Sequence, residues 1–239
     1  MKRLVSDGVR TYGRLDARPL DVNPLDEFHG LTRRLKWLRL KEWQGWTLVH
    51  PEVYSSMILQ DAHYLASSEI YVRDKASGVL HEHASNARGS SLGIAGEIWG
   101  SRPAMRAKGY RTSWLWGTFG TRAADGTPVG ANFVDRPEVD GEPEESCLWL
   151  PGVYEELSDV VFEHHPAQNG EYWTVSSFDG RLDVTFTPDG RKDVKHQLVL
   201  ASIDYFQLYG RYAGTIRSLD GTTYDVDVTG VLESMTMRS

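Results

Sequence analysis

The sequence predicts an all-β protein, a predominantly antiparallel barrel around an apolar cavity. Turn chemistry is the first observation. Asp-Gly occurs at Asp7-Gly8, Asp125-Gly126, Asp140-Gly141, Asp179-Gly180, Asp189-Gly190 and Asp220-Gly221, and four of these six pairs lie between strand-like runs. Both residues tolerate the positive φ of tight hairpin turns. Composition is the second: aromatics make up 11% of the chain, with eight tryptophans. Such residues favour strands and often line ligand cavities. The third is that helical periodicity is scarce while short strand-like runs follow one another closely, a barrel or sandwich pattern.

Taken in order, Asn23 to Phe28 reads as one short capped helical turn with Pro24 at its start. Glu42 to His50 and Ser55 to Tyr64 are candidate strands. Ser68 to Val72 and Val79 to Asn86 form a hairpin about the turn Asp74-Lys75-Ala76-Ser77-Gly78. A stretch rich in glycine, proline and basic residues, Gly96 to Gly109, separates two β-rich halves, with another helical turn expected at Arg102 to Lys108. Pro137 to Glu145 is acidic, holds two prolines and reads as an exposed loop. Trp173 to Ser177, Leu182 to Thr187 and Val194 to Ile203, parted by Asp-Gly pairs, read as a meander. Tyr205 to Ser218 and Thr222 to Met235 make the last hairpin, with Gly210 and Gly214 bending the long strand.

The chain has 239 residues, 40% of them hydrophobic, enough for a core in one large β-domain or two small ones. A net charge of −7 argues against nucleic-acid binding, which needs a basic face to displace phosphate counterions. One basic cluster, Arg33, Arg34, Lys36, Arg39 and Lys41, interleaves with Leu31, Leu35, Trp37 and Leu38 and reads as a solvated face beside a buried one. Cys147 is the only cysteine, so neither a disulfide framework nor a cysteine zinc site is expected. The N-terminus lacks the apolar segment of a signal peptide, and no apolar run approaches the ~20 residues that span a bilayer. A cytoplasmic chain without membrane insertion is the expectation. No nucleophile elbow, phosphate-cradling loop or dinucleotide fingerprint occurs, so no cofactor is expected.

Several strings carry a family resemblance together. In the first half they include Leu40-Lys41-Glu42-Trp43-Gln44-Gly45-Trp46, Gln60-Asp61-Ala62-His63-Tyr64 and His81-Glu82-His83. In the second they include Trp114-Leu115-Trp116-Gly117-Thr118-Phe119, Val129-Gly130-Ala131-Asn132-Phe133, Glu144-Glu145-Ser146-Cys147-Leu148-Trp149 and Asp204-Tyr205-Phe206-Gln207-Leu208-Tyr209-Gly210. In this order they resemble an uncharacterised bacterial and fungal family, the domain of unknown function 2804. That family is distantly similar to the carotenoid-hydratase and lipocalin-like group. The resemblance implies a tandem lipocalin-like architecture of two barrels. Family members are longer, and the missing part falls between Pro103 and Tyr110. This chain is therefore expected either to close one hybrid lipocalin-like barrel, residues 106–239 completing what residues 1–105 begin, or to be a truncated or engineered form. The single hybrid barrel is preferred.

Candidate site residues follow from strand alternation. Trp114 and Trp116 share one face, either as a ligand-facing aromatic wall able to shelter a cation or as core packing. In the distantly similar hydratases a His-x-Trp-Gly stretch is implicated in catalysis, and Trp114 stands where that histidine stands. Asp61 shares an apolar strand face with Met57, Leu59 and His63, and Asp204 precedes the run to Leu208. Desolvation there would suit either carboxyl to proton donation, and the alternative is a strand-end Asp bound to backbone amides. Tyr205, Gln207, Tyr209 and Arg211 line one face, either lumen or ordinary outer surface. Asn132, Gln44 and Trp149 are further candidates for lining the cavity. His81 and His83 share a face but lack a third ligand, so no metal is expected. His164 and His165, beside Pro166, are expected in a loop without a role.

Three functions fit. One is a barrel binding a lipophilic small molecule. Another is a cofactor-free hydratase, isomerase or cyclase acting on a polyene or terpenoid-like substrate, with Asp61 or Asp204 as proton donor. The third is a structural or partner-binding barrel filled by side chains. The sequence leaves the oligomeric state open.

Overall fold

The computed structural model describes residues 3–11, 20–40, 42–50, 52–61, 65–88, 111–137, 145–168, 170–197 and 202–238. The chain divides into two compact units, Met1–Arg106 and Ala107–Ser239. Among the described residues it is all-β and antiparallel, apart from one short helix, one helical turn and a single parallel bridge. No helix among the described residues is long and apolar enough to cross a membrane. The expected Arg102 to Lys108 turn, Asp140-Gly141 and His63 lie outside the described residues.

The first unit opens with a small hairpin, β1 (Val5–Ser6) and β2 (Val9–Arg10), turned by Asp7 at φ 52° and Gly8 at φ 75°. The Asn23 side chain accepts from the Val5 amide at 3.0 Å and donates to its carbonyl at 2.9 Å. It so anchors the start of the 3-10 turn Pro24–Glu27, where the sequence placed one. Helix α1 (Gly30–Arg39) was not expected. Its Leu31, Leu35 and Leu38 recur at i, i+4 and i+7, a helical stripe that the interleaved basic residues obscure. A four-stranded meander follows: β3 (Glu42–Val49), β4 (Val53–Asp61), β5 (Leu65–Asp74) and β6 (Leu80–Arg88). Its last turn forms because Asp74 accepts from the Ser77 amide at 2.6 Å while Gly78 takes a φ of 69°. Tyr54 and Tyr71 pack on one of its faces with ring centroids 5.9 Å apart.

The second unit is one nine-stranded sheet. Its strands are β7 (Arg111–Arg122), β8 (Pro128–Asp135), β9 (Cys147–Leu150), β10 (Val153–Glu156), β11 (Val160–Ala167), β12 (Gly170–Ser177), β13 (Leu182–Gln197), β14 (Ser202–Arg217) and β15 (Thr223–Arg238). They lie in the order β10-β9-β8-β7-β15-β14-β13-β12-β11, so the last strand pairs with the first of the unit. The sheet curls until β11, at one edge, meets β8, with Phe133 and Phe162 5.8 Å apart between ring centres. Strands β3 to β6 pair only among themselves within the described residues, and the nine-strand order contains none of them.

Two further expectations change. Asp189-Gly190 is no hairpin turn but a bulge inside the 16-residue β13, where the register shifts between Pro188 and Gly190. Glycine is required there because Tyr209, directly across the ladder, lays its phenol where a Cβ would stand. His164 and His165 lie on strand β11, not in a loop, and stack on Trp173 and Tyr172 at 4.6 Å each. The pairing of β11 with β12 outweighs the local effect of Pro166, which an edge strand tolerates.

The interior of the curl is filled by side chains. Phe119, Phe133, Leu148, Phe186, Leu208, Tyr212 and Leu232 are all buried there. Tyr212 stands at the centre, its ring 4.6 Å from Phe186 and 5.1 Å from Phe119, its hydroxyl donating to the Val231 carbonyl at 2.8 Å. One end is clamped by Arg181, whose guanidinium donates to Glu155 at 2.8 Å, to Asp179 at 2.9 Å and to the Glu156 carbonyl. Glu155 also accepts from the Leu219 amide at 2.8 Å, so edge strand β10 is tied to two turns on the far side of the sheet. Burial pushes the Asp179 carboxyl up, but bonds from Ser177, Arg181 and the Ser158 amide hold it down at about 2.

Candidate functional site

Alternation gives the curled sheet two faces. Leu208, Tyr212, Leu232, Phe119 and Phe133 point into the packed interior. The cross-strand register puts Trp114, Trp116, Asn132, Trp149, Tyr205, Gln207 and Tyr209 on the opposite face. Of the two readings left open for Tyr205, Gln207 and Tyr209, the register gives the outer face, and Trp114, Trp116, Asn132 and Trp149 share it. Directly opposed residues in an antiparallel ladder share a face, and each of these is offset by one from the core residues beside it. Part of this outer face is nonetheless withdrawn from solvent: Tyr209 is 1% exposed, Val231 4% and Gln207 7%.

Glu233 organises this face. It lies on β15 directly opposite Trp116 on one side and Gln207 on the other. Its Oε1 accepts from the Trp114 indole at 3.2 Å. Its Oε2 accepts from the Tyr205 hydroxyl at 2.8 Å and from the Gln207 amide at 3.3 Å. Trp116 donates to Asn132 at 2.8 Å, and Asn132 in turn donates to the Glu145 carbonyl at 3.1 Å. Five residues named from the sequence, Trp114, Trp116, Asn132, Tyr205 and Gln207, thus gather about a carboxyl that sequence reasoning missed. The one signal for it was the alternation Val231, Glu233, Met235, which sets a charge among apolar neighbours on one strand face.

The other candidates lie elsewhere. Tyr209 is on the same outer face, over Gly190. Trp149, on β9, is 46% exposed and lies over Gly130. Asp204 is no buried proton donor: it stands on the other face, solvent-exposed, and pairs with Lys195 at 2.8 Å. The charge alternation of Lys195 with Asp204 across the ladder explains that placement. Asp61 and Gln44 belong to the first unit and share a face of its sheet. They are buried at 7% and 1% exposure. His81 and His83 are exposed on β6.

Burial pushes the Glu233 carboxyl above its ordinary range, and the bonds from Tyr205, Trp114 and Gln207 pull it back without cancelling the shift. The sign of the consequence follows by linkage. A carboxyl raised in the folded state favours folding most below the unfolded carboxyl range, and that contribution is lost as pH rises through the folded value. Glu233→Gln is therefore expected to flatten the fall in stability between acid and neutral pH, read by urea denaturation at a series of pH values. An unchanged slope would show that Glu233 does not carry it.

A family model described as domain of unknown function (DUF2804) matches residues 108–238. No curated protein matches the chain. Among solved structures, kievitone hydratase from Nectria haematococca is similar at a TM-score of 0.44 and 6% identity, covering 84% of this chain and 89% of that one.

Proposed function

The chain belongs to the family of the domain of unknown function DUF2804, and from that premise we propose that it binds an apolar small molecule on the outer face of the nine-stranded sheet. The observation that carries this reading is the Glu233 carboxyl, held by three neutral donors, Trp114, Tyr205 and Gln207, with Trp116 directly across the ladder. A largely apolar surface with a few convergent polar groups is the usual composition of a small-molecule site. The aromatic residues would cover an apolar body, and the carboxyl with its donors would fix one polar end. The packed interior supports a ligand on this face rather than inside the curl. Asp204, exposed and paired with Lys195, has no part in the proposal.

The test is a titration of the full chain with decyl-chain compounds bearing different ends, below their micelle concentrations, followed by native mass spectrometry. Saturable one-to-one binding of at least one compound is expected, weakened about tenfold or more by Trp114→Ala, the loss of one good aromatic contact. No complex with any compound would overturn the reading.

A further inference from the structure

Resting on that binding reading, we propose that the ligand's polar end is cationic: a protonated amine on an apolar body, seated against Glu233. Two carboxylates of the same unit are held in contrasting ways. Glu155, a buried carboxylate, is neutralised by Arg181 at 2.8 Å, whereas Glu233 is only partly buried. Glu233 has no lysine, arginine or histidine paired with it among the described residues; its three partners are an indole, a phenol and an amide. A carboxylate partly withdrawn from water and held only by neutral donors is left without a counter-charge that a cation supplied from outside would provide.

Hydrogen-bond capacity points the same way. A carboxylate offers about four acceptor positions over its two oxygens. Among the described residues Tyr205 and Gln207 take those of Oε2 and Trp114 takes one on Oε1, which leaves one position on Oε1 for a donor. The surroundings are aromatic and apolar, with Trp116 opposite Glu233 and Met235 opposite Trp114. Indole and phenol rings attract an ammonium group through their negative faces, so the neighbours that would repel an anion favour a cation. A neutral alcohol can fill the open position but leaves the charge uncompensated. A carboxylate ligand meets like charge.

Competing titrations are limited. Among the described residues Tyr205, on β14, is the titratable group hydrogen-bonded to Glu233; Trp114 and Trp116, on β7, do not titrate. Lys192, on β13, stands opposite Gln207 on the same face.

The experiment compares decylamine, decanol and decanoate by calorimetry with the full chain at neutral pH, in the wild type and in Glu233→Gln. Decylamine is expected to bind about tenfold or more tightly than decanol, and decanoate more weakly than either. The amine preference should vanish in Glu233→Gln. A wild-type series toward acid pH keeps the test decisive if that variant does not fold: amine affinity should fall as Glu233 takes up its proton, while decanol affinity holds. Equal or tighter binding of decanol, or an amine preference that survives both perturbations, overturns this inference alone. No binding of any of the three overturns the binding reading beneath it as well.

Discussion

Replacing Tyr212 with alanine is expected to cost about 3–5 kcal/mol, the range for deleting a large aromatic from a close-packed core. The residue is fully buried and touches rings from three other strands: Phe119 on β7, Phe133 on β8 and Phe186 on β13. Its site is shaped to receive it. A Cβ on Gly117 would stand 2.6 Å from its hydroxyl, and one on Gly230 would stand 2.8 Å from its ring. Both glycines leave room for Tyr212, although Phe133 at 2.3 Å from a Gly117 Cβ and the Thr118 carbonyl at 2.5 Å from a Gly230 Cβ crowd them more closely still. Tyr212→Phe isolates the hydroxyl and should cost only about 1 kcal/mol, the worth of its bond to the Val231 carbonyl. Urea denaturation of both variants checks the pair. Equal small losses would mean that the interior collapses around the void and that Tyr212 is not its centre.

The second large effect is expected at the clamp. Arg181→Met should destabilise by about 3–5 kcal/mol, because it strands a carboxylate that is itself buried. The loss comes less from the attraction removed than from the charge left behind. Glu155 keeps the Leu219 amide but loses its cation. Adding Glu155→Gln to Arg181→Met should therefore recover roughly half of the loss or more, a coupling that a double-mutant cycle measures directly. Simple additivity of the two substitutions would show that the pair does not act as a unit. Asp179 gives the same clamp an acid limit. Its carboxyl is held at about 2, so its contribution is present above the unfolded carboxyl range and lost as pH falls toward that value.

What the sequence made legible was local. Asp-Gly at 125–126, 179–180 and 220–221 marks real turns, each with its glycine at positive φ. Asp189-Gly190 carries the same chemistry but not the same structure. The deciding neighbour, Tyr209, is far away in sequence and arrives only when β13 and β14 pair. The alternation of Tyr205, Gln207 and Tyr209 correctly grouped them on one face, yet it could not say which face met the core. That depends on where Phe206, Leu208 and Tyr212 find partners, and those come from β7, β8 and β13. Glu233 was invisible for the same reason. Nothing near it in sequence marks it, and its significance comes from Trp114, Tyr205 and Gln207 across two ladders. Helix α1 was missed because four basic residues crowd its leucine stripe.

The central claim is that an apolar ligand lodges where Trp114 and Trp116 meet Glu233. The most direct test follows the indole N–H resonances of the eight tryptophans by nitrogen-edited NMR during titration with decylamine. Trp114 and Trp116 both donate their indole N–H within this cluster, to Glu233 and Asn132, so both signals report on it. The account predicts that these two shift together and saturate while the signal of Trp173, buried on the interior side, stays in place. A titration that moves Trp173 and leaves Trp114 and Trp116 unmoved would put the ligand inside the curl and contradict it.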